Sequence, residues 1–247
     1  MCSVTWQLEE EGYQVFFNRD EQKHRALGLP PRQIRLDDVS VLMPIDPVGQ
    51  GSWISVNELG LTLCLLNNYQ GLCPKGTLIS RGQLLKSLSS KTNTVDIEKA
   101  FNAIDPMAYA PFLLVAFDPA LTKHKMDVMV FEWNGQDTEI YPRSGPLFSS
   151  GVDLERVVAH RKKTYEDFVA TGRQGFSQLH ASHHDEHLHT SFCMHRNDAH
   201  TVSFTQVVVT PNSQKMSYVA GSPCTQLNEK NLIKHSVYLP SKNAMAS

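Results

Sequence analysis

The chain has no apolar run approaching the roughly 20 residues that a membrane-spanning helix needs, so no membrane span is expected. It also lacks a surplus of either charge: 23 Lys and Arg stand against 25 Asp and Glu, a net charge of −2. That balance gives no electrostatic footprint for nucleic acid as a main partner. The five cysteines, at positions 2, 64, 73, 193 and 224, are odd in number and contain no CxxC pair. Neither a disulfide framework nor a zinc module is indicated, and the expected setting is cytoplasmic, with reduced thiols. No basic segment followed by an apolar one precedes Glu9-Glu10-Glu11, so no secretory leader is expected. What is there is an ordinary globular composition, 41% apolar and 19% charged over 247 residues.

The informative stretch is the start. Met1-Cys2 puts a small residue after the initiator, the condition under which Met is removed. Cys2 then carries a thiol and a free α-amine on one residue. The thiol titrates at about 8.5 and the amine at about 8, so the amine can act as base to its own nucleophile. Ser3 to Leu8 alternates apolar Val4, Trp6 and Leu8 with Ser3, Thr5 and Gln7, a half-buried strand. Glu9-Glu10-Glu11-Gly12 is a turn, and Tyr13, Val15 and Phe17 resume a strand. A hairpin turning between Glu10 and Glu11 places Cys2 opposite Arg19, with Asp20 alongside. The guanidinium is expected to lower the thiol pKa, and Asp20 to hold the Arg or the α-ammonium. Taken singly, a Cys near a start codon and a charged strand end are commonplace; the register that joins them is the signal.

Met-Cys opening a strand, with Asn18-Arg19-Asp20-Glu21 closing the next, resembles the NRDE family, also called the transport and Golgi organisation 2 family. More distantly it is similar to the choloylglycine hydrolases, the penicillin V acylases and bile-salt hydrolases. The resemblance implies an α+β, four-layer αββα sandwich of two mainly antiparallel sheets. It implies an N-terminal cysteine nucleophile, Cys2, acting with Arg19 and Asp20 on a non-peptide C–N amide of a small molecule. The Asn closing a later strand, in Leu66-Asn67-Asn68, matches the place where a main-chain N–H after an Asn forms half of the oxyanion hole, so Asn67 and Asn68 are assigned there, with the N–H at Asn68. The acylases put an Asn at the second oxyanion position; here Ser149-Ser150 stands before a helix, and a hydroxyl or the helix amides take that role. The acylase Arg on a late strand is missing from Val202-Ser203-Phe204-Thr205, and Arg196 is the substitute. Asn18 joins these as a further substrate or oxyanion candidate. Members of the family are linked to haem and lipid-related trafficking, so the alternative is a binding protein on the same scaffold, with haem as ligand. No cofactor is assigned to the hydrolase reading, and the oligomeric state is open.

Residues 22–50 read as an irregular Pro-rich loop with short edge strands such as 39–43, able to wall a cleft. Strands are expected at 53–56, 61–66, 111–117, 126–133, 138–141, 192–196, 201–209 and 216–220. Helices are expected after Ser80, after Thr94 and from about 152 to 170, the last with Arg161-Lys162-Lys163 as a solvated face. Seven of the eleven His fall between 180 and 200. His183 and His187, four apart, share a face if helical and are the candidate metal or haem-iron ligands. Residues 1–240 are taken as one domain and 241–247 as a disordered tail.

Overall fold

Glu9 to Gly12 turns the chain back on itself, with the Glu9 N–H donating to Gly12 O at 2.9 Å. Gly12 sits at φ +102°, and a Cβ there would lie 2.1 Å from Val209 O, so both conformation and space require glycine. In the computed structural model, which describes residues 2–125, 127–173 and 175–242, this turn joins β1 (Cys2–Leu8) to β2 (Tyr13–Gln22). Then come β3 (Leu29–Leu36), β4 (Val39–Ile45), β5 (Ile54–Asn57) and β6 (Thr62–Asn67), followed by α1 (Arg81–Leu88) and α2 (Thr94–Ala103). Next are β7 (Phe112–Phe117), β8 (Val128–Trp133), β9 (Thr138–Arg143), β10 (Leu147–Ser149), α3 (Leu154–Ala170) and α4 (Ser177–His180). The chain closes with β11 (Ala199–Val209), β12 (Ser213–Ala220), α5 (Pro223–Gln226), α6 (Glu229–Lys234) and β13 (Ser236–Pro240).

These strands form two antiparallel sheets, ordered β10-β1-β2-β11-β12-β13 and β3-β4-β5-β6-β7-β8-β9. Strand alternation gives each sheet two faces. Val4, Trp6, Tyr13, Val15 and Phe17 of the first sheet pack on Ile54, Val56, Cys64, Leu66, Val115 and Phe117 of the second. Tyr13 bridges the sheets, its hydroxyl donating to Gly60 O at 2.6 Å. On the outer face of the second sheet, Leu63, Phe112 and Phe131 bury Leu84, Leu85, Leu88, Ile97 and Phe101 of α1 and α2. On the outer face of the first, Phe16, Phe148 and Phe204 pack with Phe176, Leu179 and Phe192, and with Val158, Tyr165 and Phe168 from α3. Each such large side chain contributes about 1.5–3 kcal/mol on full burial. The result is the expected α+β, αββα layering.

The structure differs from the sequence reading in several places. Residues 29–45 form two full strands. Pro30 and Pro31 are accommodated because β3 is an edge strand whose register shifts between Leu29 and Arg32. Residues 192–196 are a bent segment held by one bridge, His195 to His200, and not a strand. Asn93, not Thr94, caps α2, accepting from the Asp96 N–H at 2.9 Å. The last forty residues carry β13, which pairs with β12 through Ser213 to Ser217. Ser241 is buried, and the N–H groups of Ser241 and Lys242 donate to Asn212 O and Glu58 O. The expected tail therefore does not begin at 241; residues 243–247 lie outside the described residues, as does Met1.

Candidate active site

The β1–β2 ladder places Cys2 directly opposite Arg19, and the β1–β10 ladder places Ser149 directly opposite Cys2. Directly opposed residues share a face, so Arg19, Cys2 and Ser149 form one row on the face that looks towards the second sheet. At the end of that row lies a cavity of about 260 Å³, lined by Cys2, Arg19, Glu21, Trp53, Asn67 and Arg81 among others. Arg19 is buried, with its guanidinium 4.3 Å above the Trp53 ring. Its Nη2 donates to Glu21 Oε2 at 3.2 Å. Glu21 also lies 3.6 Å from Arg25 Nε, and Arg25 Nη2 is 2.5 Å from Asp46 Oδ2. Burial works against ionisation of Asp46, but Arg25 and the Val48 N–H outweigh it and hold the carboxyl below its usual range. The segment read as a loop thus supplies one wall of the cavity.

Alternation moves Asp20 to the other face. Its Oδ1 accepts from Thr201 Oγ1 at 2.6 Å, and its Oδ2 accepts from Arg161 Nη2 at 3.3 Å. Glu21, the next residue on the face of Arg19, is the carboxylate that Arg19 meets, while Asp20 lines the cavity beside Cys2. Arg161 is fully buried and also donates to Ser3 Oγ at 2.5 Å and to Thr190 O at 3.3 Å, so it is no part of a solvated run. Asn18 faces the same outer layer, its Nδ2 donating to His180 O and Phe192 O at 2.8 and 2.9 Å. It does not reach the cavity.

The thiol itself departs from expectation. Burial pushes the Cys2 thiol up, and Asp20's charge adds to this. Arg19 and the Asp20 N–H pull the other way without prevailing.

At the strand end opposite, the Asn68 N–H donates to Pro111 O at 3.1 Å, and Asn68 Nδ2 donates to Glu132 Oε1 at 2.9 Å. The amide assigned to the oxyanion is thus taken by the ladder. Leu65 N–H donates to Trp53 O, on the other side of β6. Asn67, the last residue of β6, has the parity of Leu65, so its N–H points to the β5 side, past the end of β5. Asn67 lines the cavity, with its Nδ2 on Tyr69 Oη at 2.7 Å. Ser150 Oγ donates to Val152 O and accepts the Val152 N–H, closing the turn before α3. Ser149 Oγ is buried and has no partner among the described residues, although Ser149 does not line the cavity. Arg196 is paired with Asp198, its Nε 2.9 Å from Asp198 Oδ1, and faces a second cavity of about 320 Å³ that Cys2 does not line. His183 and His187 do not share a face: His183 packs on His195, and His187 packs on His160, with ring centroids 4.4 and 4.3 Å apart.

Sequence reasoning missed Glu21, Arg81 and Arg161. Glu21 and Arg161 had a signal. Strand parity from the Cys2–Arg19 pair selects Glu21 over Asp20, and Arg161 falls on the buried stripe of α3 with Val157. Arg81 had none, because a helix start brought to the cavity by the second sheet is a tertiary fact.

Two stacked antiparallel sheets between helical layers are the fold of the N-terminal-nucleophile hydrolases. Penicillin V acylase from Agrobacterium tumefaciens superposes with a TM-score of 0.53 at 9% identity, over 89% of this chain and 86% of that one. The Caenorhabditis elegans N-acylethanolamine-hydrolyzing acid amidase orthologue gives 0.54 at 11%, over 97% and 100%. A mutant of the conjugated bile acid hydrolase from Clostridium perfringens gives 0.53 at 12%, over 89% and 92%. A search of curated protein sequences finds no match. The chain belongs to the Transport and Golgi organisation 2 family, whose model matches residues 1–220.

Proposed function

We propose that this protein is an N-terminal cysteine amidohydrolase that cleaves a non-peptide C–N amide bond of a small molecule through an acyl-enzyme on Cys2. The observation that carries this reading is the position of Cys2: first residue of the mature chain once Met1 is removed, opposite Arg19, at the wall of a polar cavity. The α-amine of Cys2 takes the thiol proton, and Sγ attacks the amide carbon. The oxyanion that forms is met by the Asn67 N–H, which points past the end of β5. The proton passes to the departing amine as the C–N bond breaks. Water, deprotonated by the same α-amine, then cleaves the thioester and releases the acid. Arg19, fixed by Trp53 and Glu21, holds positive charge beside the reacting sulfur.

Arg81 adds a substrate preference to the proposal. Its Nη1 donates to Pro111 O at 2.8 Å, and it has no carboxylate partner among the described residues. A half-buried guanidinium in that state favours a substrate with an anionic group. A carrier of haem or lipid on the same scaffold gains no support from walls made of Arg19, Glu21, Arg25, Asp46 and Arg81.

The test is intact-mass analysis after incubation with a panel of N-acyl amides, acidic and neutral. The expected result is a mature chain starting at Cys2 and an acyl adduct on the wild type, strongest with acidic amides and absent from Cys2→Ala. A purified chain that retains Met1, or a panel that leaves no adduct and no product, overturns the proposal.

A further inference from the structure

Away from the Cys2 cavity, three ligand-type side chains converge where the bent segment after the His-rich loop meets the end of the β11–β12 hairpin. His195 Nε2 lies 3.6 Å from Cys193 Sγ and 3.2 Å from Cys224 Sγ, and the three atoms all fall within 4.8 Å of one another. All three cysteine-containing contacts involve free thiols. A ring nitrogen has one proton or one lone pair, so it cannot make a full hydrogen bond to both sulfurs. A central ion satisfies all three at once. With Zn–S bonds of about 2.3 Å and a Zn–N bond of about 2.0 Å, tetrahedral geometry sets ligand atoms roughly 3.5–3.8 Å apart. The observed spacings bracket that range.

The cluster is held in place by the fold. Cys193 N–H donates to Ser182 O at 2.9 Å, His195 N–H to Leu188 O at 2.8 Å and Thr201 N–H to Met194 O at 2.9 Å. From the other side, Gly221 N–H donates to Val202 O at 2.8 Å and Ser222 Oγ to Thr201 O at 2.9 Å, which sets Cys224 against Cys193. The Cys224 N–H points at Cys193 Sγ, 3.4 Å away, which ties the two cysteine-bearing segments together. His183 Nδ1 lies 2.9 Å from Cys193 O and packs its ring on His195, supporting both residues from behind. Two thiolates and one imidazole leave a dication neutral overall, so its partial burial carries no net charge out of water.

We propose that Cys193, His195 and Cys224 form a binding site for a thiophilic divalent cation of the Zn(II) class. Binding replaces two S–H protons, which leave to solvent, and makes two metal–sulfur bonds and one metal–nitrogen bond. No electron is transferred. Three protein ligands leave the fourth tetrahedral position to water or a small ligand. The site is separate from the proposed amidohydrolase chemistry and does not depend on it.

The experiment uses the full chain, reduced and stripped with a chelator, then titrated with Co(II). The expected result is a sulfur-to-cobalt charge-transfer band that saturates at one equivalent and is displaced by Zn(II). Cys224→Ser and His195→Ala should each abolish it, while Cys73→Ser and Cys2→Ala keep it, since Cys73 is exposed and Cys2 lies elsewhere. Nickel or cobalt held only by surface histidines gives no sulfur band, which overturns the proposal. So does a band that survives both Cys224→Ser and His195→Ala, or one lost in Cys2→Ala. A Cys193–Cys224 disulfide that persists in the reduced preparation also overturns it. If Cys224→Ser fails to fold, His195→Gln with an unchanged melting profile carries the same test.

Discussion

Asp20 and Glu21 are neighbours with opposite duties, because a strand sends consecutive side chains to opposite faces. Asp20 and Arg161 are both fully buried, 3.3 Å apart, and their charges balance inside the outer helical layer. Removing one partner of such a pair leaves the other uncompensated, at a cost of about 3–5 kcal/mol. Glu21 sits at the cavity with a quarter of its side chain exposed, and its pair with Arg19 is worth at most about 1 kcal/mol to folding. Asp20→Asn should therefore lower the urea midpoint sharply. Glu21→Gln should leave that midpoint nearly unchanged yet slow acylation of Cys2, because Arg19 loses the group that orients it. Denaturation curves and single-turnover adduct formation on the two variants separate the roles. Equal loss of stability in both would show that the face assignment has no energetic meaning.

At the level of elements, α1 reaches the cavity through a contact that only glycine allows. Ser52 N–H donates to Gly82 O at 3.1 Å, and a Cβ on Gly51 would fall 2.2 Å from the Gly82 carbonyl carbon. Gly51→Ala must push the first turn of α1 away, and Arg81 with it, at about 1–3 kcal/mol of overpacking strain. The expected outcome is a lower melting temperature, together with a larger rise in KM for acidic amides than for neutral ones. A uniform rise across both would detach Arg81 from substrate charge. This contact illustrates what was legible and what was not. Alternation and turn residues reveal β1, β2 and their register, and the apolar stripes reveal α1, α2 and α3, because those signals are local. Pro30 and Pro31 hide β3, since a proline blocks a ladder only where its N–H is needed and an edge strand has a side to spare. The segment 192–196 has a strand's composition but spends its amides on Ser182 and Leu188 instead. The cluster of Cys193, His195 and Cys224 is invisible in one dimension, because a whole hairpin separates its members. Parity given by the Cys2–Arg19 pair selects Glu21 as the acidic side chain on the face of Arg19, and Asp20 lines the same cavity through its place beside Cys2.

Across the whole molecule, the outer helical layer is clamped to the first sheet by a histidine that must stay neutral. His180 is fully buried among Phe16, Phe192 and Phe204, with Nε2 2.9 Å from Thr5 Oγ1. Burial, aided by the charge of Arg161, pulls its pKa from an ordinary 6.5 down to about 3. The folded form thus refuses a proton that the unfolded chain accepts. Stability from this residue is complete above about pH 6.5 and is lost as pH falls from there towards 3, by up to about 1.4 kcal/mol per pH unit. Between about pH 7.5 and 5.5 the wild type should lose about 1.4 kcal/mol through this group alone. His180→Gln keeps a hydrogen-bonding group near Thr5 and cannot be charged, so its unfolding free energy should start lower but fall less over the same interval. His160, His195 and His200 are also shifted down by burial, but they are present in both proteins and cancel in the comparison. Urea titrations of the two proteins at both pH values measure the difference of differences. Parallel pH dependence would mean that His180 titrates freely in the folded state, and that the helical layer is not sealed over the sheet that carries Cys2.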